Sequence, residues 1–170
     1  MTSEQRAPMV KVGEPVPEFA GETDSGGAIS RTDLLGHPSV VFFYPKAGSM
    51  GCSIESREFA RLFDEFRAAG VKVVGVSVDR AEAQREFRQG CALPFELVAD
   101  HDGKISARFG VLGRLGLARR TTFVIGADGR VVKVLRTWRP GGHARPALEA
   151  AAGERRVTPD TPRSADQRDR

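Results

Sequence analysis

The stretch Val40-Val41-Phe42-Phe43-Tyr44-Pro45-Lys46-Ala47-Gly48-Ser49-Met50-Gly51-Cys52 decides the fold. Five apolar residues in a row, ended by a proline, read as a strand buried on both faces at the centre of a sheet. Proline lacks a backbone donor and cannot continue such a strand. Beyond the loop at 46–51, Phe59, Leu62, Phe63 and Phe66 recur at i, i+3, i+4 and i+7. That spacing predicts one amphipathic helix over residues 52–69, stopped by Gly70. Cys52 is therefore expected where a buried strand hands over to a helix.

On either side strands and helices alternate. Residues 17–30, with the turn signal Gly26-Gly27, predict a hairpin, and 33–35 a single helical turn. Residues 71–78 read as a second buried strand, with Asp79 as N-cap of a helix over 80–89. A third strand is expected over 93–98, then a short helix with Ile105 and Phe109 on one side. Residues 121–125 and 131–135 pair through the Asp128-Gly129 turn, and a helix over 143–151 closes the domain. The order implies an α/β protein with a central mixed sheet flanked by helices and an N-terminal hairpin extension.

The chain of 170 residues is long enough for one domain and short for two. The division expected is a flexible start at 1–8, one domain at 9–152 and a disordered charged tail at 153–170. In that tail only Val157 has an apolar side chain of any size, too little burial to offset the entropy of ordering it. No apolar run reaches the roughly 20 residues of a membrane span. The N-terminus lacks the continuous apolar segment of a secretory signal, so a cytoplasmic protein with no membrane partner is the expectation. Two cysteines point to thiols held reduced rather than to a disulfide framework.

The net charge of +4 is unevenly placed: eight basic residues between Arg114 and Arg145 face the single acid Asp128. Such a run suits nucleic acid or an acidic partner, or is simply a solvated face. With only Phe123 and Trp138 as aromatics and no nucleic-acid module signature, the solvated face is preferred. The histidines and cysteines show no metal-ligand spacing, and His101 and His143 read as loop and cap residues.

At the start of a helix, unpaired N–H groups and the positive end of the dipole stabilise an anion. A thiolate is the nucleophilic form of cysteine, so Cys52 is a candidate nucleophile. Position alone leaves open the plainer alternative of a small buried hydrophobe. The neighbours decide between them. Pro45 through Cys52 resembles the peroxiredoxin active-site pattern Pro-x-x-x-Thr/Ser-x-x-Cys. The string from Phe42-Phe43-Tyr44-Pro45-Lys46 to Gly51-Cys52-Ser53-Ile54-Glu55 is similar to the bacterioferritin-comigratory, or Q-type, class. Phe95-Glu96-Leu97-Val98-Ala99-Asp100, Gly110-Val111 and Arg120-Thr121-Thr122-Phe123-Val124-Ile125 match further segments of that family in the same order.

The resemblance implies a thioredoxin-like fold and a thiol-dependent peroxidase that needs no cofactor. It implies Cys52 as the peroxidatic cysteine, Ser49 as hydroxyl donor to peroxide and thiolate, Arg120 as the cation beside them, and Pro45 as the shield that shapes the loop. Glu55 belongs to the same motif. Plainer roles exist for each: Ser49 as N-cap, Pro45 as strand terminator, Arg120 as a surface arginine next to Arg119. Ser49 stands where threonine is commoner, Ala47 where an acid is frequent and Met50 where proline is frequent. Where Q-type members carry a second cysteine, this chain has Arg57 or Arg88. Cys91 is the possible resolving cysteine, and both that role and a bystander role stay open. The implied partners are a peroxide and either thioredoxin or a small thiol, on a monomer or weak homodimer. The rival is a non-peroxidatic thioredoxin-fold module using its basic face. A thioredoxin-type oxidoreductase is disfavoured, because Ser49 occupies the first position of the Cys-x-x-Cys such enzymes use.

Overall fold

The computed structural model describes residues 7–137, 139 and 141–157. The expectation for residues 1–8 lies largely outside them, as does that for 158–170 entirely. The hairpin is made by β1 (Ala20–Thr23) and β2 (Ala28–Ser30), paired antiparallel, and a 3₁₀ turn at Arg31–Leu34 follows. The apolar run becomes β3 (Ser39–Phe43), with all five residues buried. Next come α1 (Met50–Arg61), α2 (Phe63–Ala68), β4 (Lys72–Ser77) and α3 (Ala81–Gly90). Then follow β5 (Leu97–Ala99), α4 (Lys104–Arg108), β6 (Thr121–Ile125), β7 (Val131–Arg136) and α5 (Ala144–Val157).

One seven-stranded sheet results, in the order β2-β1-β5-β4-β3-β6-β7. The strands β3, β4 and β5 run parallel, while β6 and β7 on one flank and β1 and β2 on the other are antiparallel. This is the mixed thioredoxin-like sheet with its N-terminal hairpin. Alternate side chains of β3 feed two apolar cores, one on each face. Val40 and Phe42 enter the core under α1, α2 and α5; Val41 and Phe43 enter the other, with Phe19, Phe109 and Phe123. Phe42 stacks on Phe59 at 4.4 Å and meets Phe95 edge-on at 5.6 Å, a geometry that adds about 0.5–1.5 kcal/mol per pair to simple burial.

Three expectations are corrected. The single helix over 52–69 is two, because Leu62 takes φ −94° and ψ 4° and breaks the helix there. Its apolar period survives the break, so periodicity could not reveal it. The strand expected over 93–98 shrinks to Leu97–Ala99. Pro94 has no N–H for a ladder, and the Leu97 N–H donates to the Asp24 carboxylate at 3.0 Å. Asp79 does not cap α3, whose N-cap is Arg80 without a side-chain hydrogen bond. In addition, α5 runs to Val157, past the residue at which the sequence places the domain's end. No helix among the described residues is long and apolar enough to cross a membrane.

Gly75 of β4 is where the first core tolerates no side chain. A Cβ there would lie 2.8 Å from both Leu97 Cδ2 and Phe42 Cζ, whereas one on Gly90 meets nothing within 4 Å. Gly75→Ala is expected to destabilise the protein by about 1–3 kcal/mol. Gly90→Ala, at the end of a helix, is expected to be neutral or stabilising by up to about 1 kcal/mol. Urea midpoints of the two variants beside wild type check the contrast.

Candidate active site

Pro45 and the loop after it carry the chain from the end of β3 to the start of α1. Gly48 sits at φ 79°, a left-handed turn that a glycine adopts without strain. Ser49 is the N-cap of α1: its Oγ accepts the Cys52 N–H at 3.3 Å and donates to the Lys46 carbonyl at 3.0 Å. Cys52 is thus the third residue of α1, within the turn where the helix dipole favours an anion. Its side chain is fully buried beside Phe42, Tyr44 and Phe59.

Asp79, freed from capping, holds this loop from below. Its carboxylate accepts the Ala47 N–H at 2.7 Å and the Ser77 hydroxyl at 2.6 Å. The role had no signal in local sequence, since it joins residues 32 positions apart. Register does the rest. β6 runs antiparallel beside β3 with Thr121 opposite Phe43, so Arg120, just before β6, arrives where the loop leaves β3.

Arg120 Nη2 donates to Cys52 Sγ at 3.4 Å, and Nη1 donates to the Glu55 carboxylate, one turn further along α1. Arg119, its neighbour, is exposed. Burial raises Glu55 to about 7 from an ordinary 4.5, against the opposing pull of Arg120. Its other oxygen, Oε1, has no hydrogen-bond partner among the described residues and faces His143 Nδ1 at 3.8 Å. Burial and the nearby Arg120 charge push His143 below its ordinary value, so the ring is neutral near pH 7. Both ring nitrogens sit on threonine hydroxyls, Nδ1 with Thr122 Oγ1 at 2.8 Å and Nε2 with Thr137 Oγ1 at 3.0 Å.

His143 is the residue that sequence reasoning passed over. It was read as a cap, and its place beside Glu55 follows from α5 packing on β6, which no local pattern announces. Glu58, one turn beyond Glu55, accepts the Gly142 N–H at 2.9 Å and ties this loop to α1.

Cys91 ends α3, half-buried, as its C-cap. The next residue, Ala92, adopts φ 50°, a left-handed conformation unusual without glycine. Arg88, where some Q-type members carry cysteine, instead reaches the Asp24 carboxylate at 3.3 Å and the Leu93 carbonyl at 3.2 Å. Within the basic run, Arg130 donates to the Gly13 carbonyl, Arg145 pairs with Glu65, and Arg120 turns toward Cys52.

Comparison with known proteins places this geometry in context. Residues 12–134 match the model of the AhpC/TSA family. A protein of Helicobacter pylori (strain J99), named a putative peroxiredoxin bcp, is 34% identical over 149 residues, covering 83% of this chain and 97% of that one. The crystal structure of peroxidoxin BcpB from Mycobacterium tuberculosis superposes with a TM-score of 0.79 at 34% identity, over 85% of this chain and 97% of that one. A Xanthomonas campestris bacterioferritin comigratory protein, described for its alkyl peroxide reduction activity, gives a TM-score of 0.77 at 27% identity, over 88% and 99% of the two chains.

Glu55 supplies a test of the electrostatics. Its carboxyl ionises at about 4.5 when unfolded and near 7 when folded. The folded state therefore holds the proton more tightly. The group's contribution to stability is full below pH 4.5 and is lost as pH rises through 7. Relative to Glu55→Gln, wild type is expected to lose on the order of 3 kcal/mol between those limits. Urea denaturation of both proteins at about pH 5 and about pH 8 measures it, and equal differences at the two pH values would contradict the assignment.

Proposed function

The chain belongs to the AhpC/TSA family of thiol-dependent peroxidases, and we propose that it reduces hydrogen peroxide and organic hydroperoxides through a sulfenic acid formed on Cys52. The observation that carries this reading is the 3.4 Å contact from Arg120 Nη2 to Cys52 Sγ at the first turn of a helix. A sulfur held there has both a guanidinium and a helix terminus to stabilise its anion.

In the reaction the Cys52 thiolate attacks one peroxide oxygen. The S–O bond forms as the O–O bond breaks, and the electron pair leaves on the second oxygen, which takes a proton as water or alcohol. Cys52 is left as a sulfenic acid. Arg120 stabilises the negative charge as it spreads from sulfur to the leaving oxygen, the kind of preorganised electrostatic help that contributes about 10²–10³ in rate. Glu55 fixes the guanidinium plane by taking Nη1, leaving Nη2 for the sulfur. Ser49 holds the loop by its N-cap bond and brings a hydroxyl within reach of the same sulfur's backbone. Pro45 starts the loop and keeps β3 from extending into it.

Burial of Cys52 means that the first turn of α1 must open for a reductant to reach the sulfenic acid. A thiol then attacks that sulfur, forming a disulfide and releasing water. Thioredoxin or a small thiol serves as the external reductant. Cys91, half-buried at the end of α3, is the internal alternative to that thiol.

Cys52→Ser is expected to abolish peroxide consumption. Arg120→Met is expected to lower the second-order rate of Cys52 with hydrogen peroxide by about 10²–10³. Both are read by stopped-flow assay of reduced protein. One equivalent of peroxide followed by intact mass and thiol count decides the second cysteine. Loss of both thiols, abolished by Cys91→Ser, means an internal disulfide; oxygen on Cys52 alone means an external thiol. A wild-type Cys52 no faster than a free cysteine would overturn the peroxidase reading.

A further inference from the structure

Arg120 is one wall of a cavity that neither the sequence nor the peroxide chemistry accounts for. An open depression of about 520 Å³ is lined by Arg119, Arg120, Arg136 and Thr137. Arg120 has Glu55 as counter-charge. Arg119 and Arg136 form no ion pair with an acid among the described residues. The same two arginines also line a second depression of about 250 Å³ beside Met9 and Leu112, so their side chains share one ridge.

The fold brings them together and holds them there. Arg136 lies opposite Thr121 in the β6–β7 ladder, one residue from Arg120. The Arg119 N–H donates to the Val111 carbonyl at 2.7 Å. Two uncompensated guanidinium groups on rigid backbone repel each other, and an anion between them removes that cost. The planar fork of arginine matches a carboxylate in particular, through paired N–H donors. The third arginine of the cavity touches the reactive sulfur. A molecule held by its carboxylate on Arg119 and Arg136 therefore lies against the arginine that contacts Cys52.

We propose that this cavity is a carboxylate-binding subsite, through which the enzyme selects co-substrates that carry a carboxylate a few bonds from the reacting atom. The inference rests on the peroxidase reading and names the substrate class of the same site. The carboxylate belongs either to the hydroperoxide or to the reducing thiol. In the first case ROOH and the thiolate give the sulfenic acid and RO⁻, which takes a proton from water. In the second, R′SH and the sulfenic acid give the mixed disulfide and water, and a second R′SH frees Cys52 as R′SSR′ forms. The carboxylate is unchanged in both.

The test uses the full chain, wild type beside the double variant Arg119→Gln/Arg136→Gln. The peroxide arm compares tert-butyl hydroperoxide with 3-hydroperoxy-3-methylbutanoate, which adds a carboxylate to the same tertiary centre. The thiol arm compares 2-mercaptoethanol with 3-mercaptopropionate as reductant of the sulfenic acid. The double variant is expected to match wild type on hydrogen peroxide and on both neutral probes. It is expected to lose about tenfold in kcat/KM on the carboxylated probe of one arm, and that arm identifies the source. In wild type, about 0.5 M salt should erase the same preference. An identical carboxylate-to-neutral ratio in wild type and variant in both arms would overturn the subsite. Should the variant fail to fold, the wild-type salt series decides alone, a salt-independent ratio counting against the proposal. Failure of the peroxidase reading shows separately, as wild type that does not consume hydrogen peroxide.

Discussion

A single guanidinium shared between a sulfur and a carboxylate organises this protein. Arg120 gives one nitrogen to Cys52 and the other to Glu55, both of them buried, with Cys52 in the same apolar core as Phe42, Tyr44 and Phe59. A buried carboxylate is tolerated only when paired or hydrogen-bonded. The carboxylate thus depends on the arginine, and the arginine's orientation depends on the carboxylate. Neither could remain if β6 slipped by one residue, because that would turn its side chains to the opposite face.

The sheet therefore serves the site through register. β3 carries the loop to Cys52, β6 carries Arg120 back beside it, and β7 sets Arg136 opposite Thr121, with Arg136 and Thr137 beside Arg120. From the helical side, α1 contributes Cys52 and Glu55 one turn apart, and His143 at the head of α5 closes the carboxylate's far side. Below the loop, Asp79 fastens Ala47 to the end of β4. Elements distant in sequence are thus brought to one site, held by strand pairing and by hydrogen bonds such as those of Asp79.

How much of this was legible in the sequence follows from the range of the interactions. The buried strand, the Gly26-Gly27 hairpin and the Asp128-Gly129 hairpin are local signals, and all three stand in the structure. Cys52, Ser49 and Arg120 were legible because a family pattern fixes their spacing. Asp79 was misread because an aspartate before a helix is usually its cap, and the competing acceptor role comes from a loop 32 residues earlier. The break at Leu62 was invisible, since the apolar face continues across it. His143 was read as a cap because its partners, Glu55, Thr122 and Thr137, lie on three other segments. What the sequence hid was tertiary in each case.

The strand order has a consequence for how the chain comes to its fold. β1 and β2 pair with each other at once, yet the inner partner of β1 is β5, reached when Val98 and Ala99 meet Thr23 and Glu22. Until then the hairpin has an unsatisfied edge and an apolar face with nothing beneath it. On a ribosome it waits while β3, α1, α2, β4 and α3 are made, and the opposite edge closes only with β7. Contacts so far apart in sequence slow folding and lengthen the exposure of apolar strands. Cys52 is thus translated long before Arg120, and the contact between them forms only once the chain has reached β6.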